Sequence, residues 1–370
     1  MDHNKPRIRL FGVLLKATLL FALFDLAFVF LPGISAGKLS FYNFIFLGRE
    51  RFPFGETRES YNLSLFNLDA MFASHILARA EKAPDEYRVL LIGDSSVWGT
   101  LLTPEQTLAG QLNANAIIAC GKTVRAYNLG YPYLSFMQEL MFLDKALQYQ
   151  PDMVIWLTTL EALPRENQLA SPLVAHNPAR IRKVISKYEL SADPNNPALV
   201  HASKWDQTFV VQRRAVADLL RLQIYGMLWS ATDVDQAYPQ NYTRAQRDFE
   251  PDAKFHGLTP PASLQNILAF DVLDAGMSAA PVPTLLINEP IMISNGRNSD
   301  IRYNFFYPRW AYDQYRQLLA ERAASHNWKY LDLWNLVPAQ EFTNTAIHLT
   351  SKGETSLSNK IAEAIRGTCK

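Results

Sequence analysis

The chain has few cysteines and almost no net charge. Cys120 and Cys369 are the only cysteines among its 370 residues, and 36 Lys plus Arg balance 35 Asp plus Glu to a net charge of +1. Two cysteines without a C-x-x-C pair or nearby histidines cannot build a zinc or redox motif, and a neutral chain lacks the field that gathers polyanions. We therefore expect no metal, no cofactor and no nucleic-acid partner. Free thiols are favoured over a single disulfide bridge.

Repeats and biased composition are also absent. The chain has 16 Gly and 21 Pro in 370 residues and no internal repeat. This excludes collagen-like, coiled-coil and wholly disordered classes, and leaves one large or two ordinary globular domains.

The apolar residues are unevenly distributed along the chain. Eighteen of the 22 residues from Leu10 to Leu31 are apolar, and a helix of that length spans about 33 Å. A cleaved signal peptide, the competing interpretation, has a shorter apolar core of roughly 7 to 15 residues. We therefore predict a single transmembrane helix over residues 10–31.

Charges around this span predict its orientation. Lys5, Arg7 and Arg9 precede it, and positive charge favours the cytoplasmic side, so residues 1–9 are predicted as a cytoplasmic tail and the main domain as extracytoplasmic. Asp25 lies inside the span, about 10 Å from its outer end. It either touches water near the interface or faces a second membrane protein.

Two regions follow the span. Residues 32–85 form a membrane-proximal segment whose aromatic and basic composition suits the membrane surface, followed by a helix leading into the main domain. Residues 86–370 alternate short apolar strands with helices, which predicts an α/β fold with a parallel sheet covered by helices on both faces. Residues 164–280 interrupt this alternation and are predicted as a mostly helical insertion. The predicted strands are Val89 to Ile92, Ala126 to Leu129, Met153 to Leu157, Thr284 to Ile287 and Tyr330 to Leu333.

The first strand ends in the segment Gly93-Asp94-Ser95. In an open parallel sheet, ligands bind beyond the carboxyl ends of the strands. A serine there can expose its hydroxyl next to backbone N–H groups, as acyl transfer requires. The alternative is that Asp94 or Ser95 only caps a helix.

The second candidate is His348, which precedes a helix capped near Thr350 or Ser351. A histidine near the end of the chain can act as general base in a catalytic triad whose serine comes first in the sequence.

These elements resemble the sequence blocks of the SGNH, or GDSL-type, hydrolase superfamily. The resemblance covers residues 87–160 and 281–370 and implies a three-layer α/β/α fold. It implies Ser95 as nucleophile, His348 as base, and the N–H groups of Ser95 and Gly130 as oxyanion donors. The matching segments are GDS at 93–95, NLG at 128–130, PDMVIWL at 151–157 and HLT at 348–350.

Two positions depart from the family pattern. The oxyanion Asn of the third block is missing, and Thr159 is the substitute donor considered, since a carboxylate at Glu161 cannot donate. Loss of one such donor typically costs about 3 kcal/mol of barrier. The usual Asp three residues before the histidine is replaced by Thr345, which leaves Asn344 or Asp332 to orient the imidazole.

Four further residues are predicted to contact substrate. Asp94 adjoins the nucleophile, Glu161 follows the third block, and Asn288 ends a strand at the same sheet edge. Arg297 lies in an aromatic and basic loop, a composition suited to sugars or anionic groups.

The sequence therefore predicts a membrane-anchored extracytoplasmic esterase or O-acyltransferase acting on an envelope or exported glycan. By analogy with anchored members of the superfamily, a membrane-bound O-acyltransferase is the expected partner. The alternative is a catalytically silent glycan-binding or scaffold protein, because two supporting groups of the site are missing.

Overall fold

A six-stranded sheet organises the fold, as seen in a computed structural model that describes residues 9–30, 35–55, 65–200, 203–232 and 242–368. Its strands are β1 (Glu86–Gly93), β2 (Ile118–Ala119), β3 (Lys122–Gly130), β4 (Met153–Thr158), β5 (Thr284–Asn288) and β6 (Lys329–Asp332). The spatial order is β2-β3-β1-β4-β5-β6, and all pairs except β2–β3 are parallel. The predicted α/β class and its five main strands are confirmed.

The direction in which successive strands are added to the sheet reverses at β1. After β1 it moves to β3 on one side, then crosses back to β4 on the other. Such a switch point opens a crevice at the carboxyl ends of the strands, where ligands bind in α/β sheets. Ser95 follows β1 directly and therefore lies at this crevice.

Helices cover both faces of the sheet, giving three layers. Alternate residues of β1 point to opposite faces: Leu90 and Ile92 join one core, Val89 and Leu91 the other. The helices in the described residues are α1 (Leu10–Phe30), α2 (Phe41–Ile45), α3 (Leu68–Ser74), α4 (Ser95–Trp98), α5 (Leu108–Ala114), α6 (Phe136–Ala146), α7 (Pro172–Ala175), α8 (Pro178–Lys187), α9 (Phe209–Thr232), α10 (Phe270–Ala279), α11 (Arg309–Ser325) and α12 (Ser351–Gly367). The smaller core packs under α5 and α12, and the larger one under α3, α6, α8, α10 and α11.

Residues 49–54 belong to the core of the main domain, so this part of the aromatic and basic stretch after the span does not lie on the membrane surface. Phe52 and Phe54 are buried, and the Trp98 indole N–H donates to the Phe52 carbonyl (2.8 Å). Phe41 and Phe44, earlier in the same stretch, are exposed.

Arg51 connects this segment to the loop after α4. Its guanidinium is buried over the Trp98 ring and donates to the carbonyls of Trp98 (3.1 Å), Gly99 (2.9 Å) and Leu102 (2.9 Å). These carbonyls follow the short helix that begins at Ser95. Arg51 thus holds in place the end of the helix that begins at the candidate nucleophile, together with the loop after it.

The insertion at residues 164–280 is helical only in part. It contains α7 to α10, but residues 242–269 contain no α-helix. Pro251, Pro260 and Pro261 interrupt helical hydrogen bonding there. Helix α10 packs on α6, so the end of the insertion forms part of the sandwich itself.

Cys120 forms a disulfide, which corrects the expectation of free thiols. It lies in the tight β2–β3 connection at a φ of 50°, and β2 packs against α12. Cys369, the only other cysteine, follows α12 and lies outside the described residues.

Helix α1 is long and apolar enough to cross a membrane, and none of it is buried. Asp25 contacts another part of the same chain: its Oδ1 accepts from the Val210 N–H at 2.9 Å, at the start of α9. The predicted cytoplasmic tail, apart from Arg9, lies outside the described residues.

We expect Arg51→Met to destabilise the domain by about 3 kcal/mol, because three buried carbonyls lose a charged donor and the Leu102 carbonyl keeps no other donor among the described residues. Activity should fall as well, since α4 loses its support. Thermal unfolding of the purified full chain measures the effect. Arg366→Met on the exposed side of α12 is the control and should change stability by less than about 0.5 kcal/mol. Equal melting temperatures for Arg51→Met and the parent would contradict this role.

Candidate active site

Ser95 is the first residue of α4, directly after β1. Asp94 caps this short helix, its Oδ1 accepting from the Ser96 N–H at 2.7 Å. The Ser95 side chain is partly exposed at the carboxyl edge of the sheet. Strand, cap and helix together present the hydroxyl outward, as a nucleophile requires.

His348 is held by a tight turn before α12. The Thr345 hydroxyl accepts from the N–H groups of Ile347 (3.3 Å) and His348 (3.1 Å), and the Thr343 N–H donates to the His348 carbonyl (2.8 Å). Thr350 then caps α12 by accepting from the Gly353 N–H (3.2 Å). The local sequence therefore fixes both the histidine and the start of the helix.

Ser95, His348 and Asn344 form a continuous chain of hydrogen bonds. His348 Nε2 lies 2.7 Å from Ser95 Oγ, and Nδ1 lies 2.8 Å from Asn344 Oδ1. An amide oxygen only accepts, so Nδ1 carries the proton and Nε2 is free to accept the serine proton. Burial lowers the pKa of His348 to about 4, which keeps the imidazole neutral at neutral pH.

Asp332, the alternative orienter, does not contact His348. Its carboxylate accepts from Asn288 Nδ2 (2.8 Å) and from Arg316 (2.6 Å). Asn288 is itself buried, and its side-chain oxygen Oδ1 accepts from the hydroxyls of Tyr312 (3.2 Å) and Tyr315 (3.0 Å). Both residues stabilise the β5–β6 edge and its contact with α11, so the proposed orienting role of Asp332 and the substrate role of Asn288 are wrong.

The Gly130 N–H is already engaged. It donates to Asn128 Oδ1 (3.0 Å), while Asn128 Nδ2 donates to the Val97 carbonyl (2.8 Å). A Cβ on Gly130 would lie 2.3 Å from the Trp98 nitrogen. Gly130 therefore allows the end of β3 to pack on α4, which corrects its prediction as an oxyanion donor.

Thr159 is buried and is paired with the hydroxyl of Tyr307, in the loop between β5 and α11. Its Oγ1 lies 2.8 Å from the Tyr307 hydroxyl, and either group can donate. The substitute donor considered from the sequence is thus already paired in this structure. The Ser95 N–H, in contrast, donates to no acceptor among the described residues, so it is the available member of the predicted oxyanion set.

Glu161 pairs with a histidine of the insertion. His256 Nε2 lies 2.8 Å from Glu161 Oε1, and its Nδ1 pairs with Glu166. Burial raises the pKa of Glu161; for His256, burial opposes a rise in pKa that the two carboxylates produce. Glu161 therefore links His256 of the insertion to the residues that follow β4, and no sequence motif indicates this partner.

Carboxyl groups that sequence reasoning did not connect lie buried near the nucleophile. The Ser96 hydroxyl donates to Glu289, and Trp156 Nε1 donates to Glu139. Burial, the largest cause, raises the pKa of Asp94 to about 6 and that of Glu354 to about 8, and mutual repulsion further raises those of Glu139 and Glu289. None of these carboxyl groups is hydrogen-bonded to His348, whose two ring nitrogens contact Asn344 and Ser95.

Two further residues, Arg297 and Tyr133, lie in loops, and the sequence predicts only Arg297 as a substrate contact. Arg297 is exposed, and no contact with Ser95 or His348 is seen in the described residues. Tyr133, three residues after β3 ends, has a φ of 98°, a conformation that non-glycine residues rarely adopt. Strain of this kind concentrates at active sites, so Tyr133 is a candidate substrate contact that no sequence signal indicated. The described residues contain no group of three or more His, Cys, Asp or Glu arranged to hold a metal.

Among the comparisons with known proteins, only the one with solved structures found matches. No family model and no curated protein matches the chain. Solved structures similar to it include a lipase/acylhydrolase from Enterococcus faecalis (TM-score 0.36, 15% identity, 76% of this chain and 97% of that chain). A member of the lipolytic G-D-S-L family from Veillonella parvula is similar too (0.35, 10%, 75% and 96%). A third is a carbohydrate acetylesterase from Sinorhizobium meliloti (0.33, 13%, 76% and 98%).

Scores this low do not transfer an activity or a substrate to this chain. The strand order and the contact between the serine after β1 and the histidine before the last helix are seen in the chain itself. The chain has the three-layer α/β/α architecture that its sequence predicts.

We expect the activity to persist to unusually low pH. A buried His348 with a pKa of about 4 remains neutral, and thus able to accept a proton, down to that pH. The acid limb of the kcat/KM profile should therefore lie near 4, and Asn344→Asp should move it upward because a carboxylate stabilises the imidazolium. A limb near 6.5 in the parent would contradict the burial argument.

Asp94 is the control for this profile because its own pKa of about 6 falls in the tested range. Asp94→Asn keeps an oxygen that can cap α4 but cannot ionise. A limb that persists in Asp94→Asn belongs to His348.

We expect the stability to fall as pH rises from about 5 to about 8, partly through Glu354. The buried acid keeps its proton to a pH of about 8, whereas the unfolded chain releases it near 4.5. Each pH unit in that window costs the native state up to about 1.4 kcal/mol. Glu354→Gln should flatten the pH dependence of the melting temperature, while Glu363→Gln, exposed on the same helix, should not. Parallel curves for Glu354→Gln and the parent would contradict this.

Proposed function

We propose that the chain is a serine esterase or O-acyltransferase that works through an acyl-Ser95 intermediate. The observation that carries this proposal is the hydrogen-bonded chain from Ser95 Oγ through His348 to Asn344, with distances of 2.7 and 2.8 Å. A serine at a sheet switch point, paired with a neutral imidazole of fixed tautomer, is the arrangement needed for nucleophilic attack on an ester.

In the first half-reaction, Ser95 Oγ attacks the carbonyl carbon of an acyl ester while His348 Nε2 accepts the serine proton. The carbonyl oxygen becomes an oxyanion, and the Ser95 N–H is the donor available to it. When the tetrahedral intermediate collapses, the bond to the leaving alcohol breaks and His348 returns the proton to the alcohol. The products are the free alcohol and an ester of Ser95.

In the second half-reaction, water or a glycan hydroxyl attacks the Ser95 ester. His348 takes the proton from the incoming oxygen and then protonates Ser95 Oγ as the acyl bond breaks. Water gives hydrolysis and a glycan hydroxyl gives transfer, so one constellation serves both reactions. The acceptor decides between them.

Asn344 sets the limit of this machinery. Its neutral amide oxygen fixes the imidazole tautomer but contributes no negative charge to stabilise the imidazolium. With Gly130 and Thr159 already paired, the oxyanion set is also smaller than the family pattern implies. We infer a slow enzyme, suited to a substrate that its surroundings hold close to Ser95.

The proposed location is the extracytoplasmic face of a membrane. Three observations support it: the apolar helix α1, the basic residue Arg9 before that helix, and the disulfide at Cys120, because disulfides persist in oxidising compartments. The proposed substrate is an acyl ester of an envelope or exported glycan, with a membrane-bound O-acyltransferase as the partner that supplies acyl groups.

The second candidate is a glycan-binding scaffold without catalysis. The observation that favours it is that the Gly130 N–H and the Thr159 hydroxyl already have partners within the fold, which leaves few oxyanion donors. It predicts that a folded sample neither reacts with a serine-directed probe nor turns over an ester.

Ser95→Ala should abolish labelling by a fluorophosphonate probe and lower turnover of a short-chain nitrophenyl ester at least 100-fold, since the nucleophile is lost. His348→Ala should lower labelling strongly, because Ser95 then has no base. Ser351→Ala, a partly exposed serine at the start of α12, is the control and should label like the parent. Full labelling of Ser95→Ala would contradict the assignment, and an unlabelled folded parent would favour the scaffold.

A further inference from the structure

Helix α9 carries a stripe of large apolar side chains that no described part of the chain covers. Its inner face is buried through Leu222, Gly226 and Trp229. The stripe on its outer face is 41 to 60% exposed and follows the spacing of one helical face. It consists of Leu220, Ile224, Met227 and Leu228.

Helix α2 adds a second exposed apolar stripe beside the first. Phe41, Phe44 and Ile45 are at least 60% exposed. Gln223 of α9 accepts from the Phe41 N–H (2.6 Å) and donates to the Leu39 carbonyl (3.2 Å), so the two helices are bonded side by side. We call these seven side chains of the two stripes the α2–α9 face.

The α2–α9 face is continuous with the predicted membrane span. The Phe209 ring, at the start of α9, packs edge-on against Phe24 (5.2 Å) and Phe28 (5.5 Å) of α1, and the Val210 N–H donates to Asp25. Asp25 lies five residues before the end of α1, about 8 Å along the helix axis. The start of α9 is therefore fixed beside the outer part of the predicted span.

Exposed cations accompany the apolar stripe. Arg213, Arg214 and Arg221 of α9 are exposed, and Asp218, the one acidic residue of the helix, pairs with Arg221 (3.0 Å). An apolar stripe flanked by arginines is the composition of helices that lie in the membrane interface, where the cations meet lipid phosphates.

We propose that the α2–α9 face binds the outer leaflet of the bilayer, so that the domain is held against the membrane by α1 and by this face. Lipid is the expected occupant because the start of α9 is fixed to α1 near the outer end of the span, and because the exposed stripe further along α9 is apolar and accompanied by arginines. The inference rests on the membrane anchoring in the proposed function. It adds a fixed orientation of the domain, because two attachments prevent rotation about the span.

Site-specific quenching in nanodiscs tests this orientation with the full-length chain. Ile224→Cys and Phe44→Cys are labelled with bimane and reconstituted in phosphatidylcholine and phosphatidylglycerol carrying a nitroxide near the top of the acyl chain. Because interfacial helices sit about 5–10 Å into the headgroup and acyl boundary, bimane fluorescence at both positions should fall at least about two-fold. Cys120 is disulfide-bonded and does not take the label.

Two further labels make the outcomes distinguishable. Lys360→Cys, on exposed α12, should remain unquenched, and Leu20→Cys, within α1, should be quenched if the span is inserted. Quenching at position 20 with positions 224 and 44 no different from 360 would overturn the inference while leaving the anchor intact. No quenching at position 20 would reject the anchor and this inference with it. Shielding of position 224 from aqueous iodide only in native membranes would instead assign the face to a protein partner.

Discussion

The close contact between the end of β3 and α4 is the constraint on which the site depends. Gly130 has no side chain, so the strand can approach the backbone of Val97 and Trp98, and the Asn128 amide bonds both sides of the contact. Arg51 holds the carbonyls on the other side of α4. Ser95 is thus placed by groups that never touch substrate. The same contact uses the Gly130 N–H, so it positions the nucleophile and reduces the oxyanion donors together.

The chemistry of the site follows from the burial of its ionisable groups. Burial lowers the pKa of His348 to about 4, which keeps the imidazole neutral, and raises the pKa values of Glu354 and Glu289. Such a site keeps its base available over a wide pH range but stabilises the imidazolium poorly. A second attachment to the membrane would compensate, because holding the domain in one orientation beside its substrate raises the frequency of productive encounters.

The sequence predicted the parts that local patterns determine. Strand periodicity indicated the sheet, and the turn chemistry around residues 343–350 indicated that His348 precedes a capped helix. Asn344 and Asp332 stayed equivalent as orienters because the choice depends on a turn geometry that spacing alone does not specify. The contacts that were missed join residues far apart in sequence, as Asp25 with Val210 and Glu161 with His256, and no local motif indicates them. The sequence likewise does not show that the Gly130 N–H donates to the Asn128 side chain and is therefore unavailable to an oxyanion.

The most direct test of the account is to identify the residue that carries the acyl group during turnover. The full-length protein is mixed with an activated acyl ester, stopped with acid and digested, and the modified peptide is sequenced by mass spectrometry. The account predicts an acyl group on Ser95 in the parent and none in Ser95→Ala. An acyl group on another residue during turnover, or turnover with no covalent intermediate on Ser95, would contradict it.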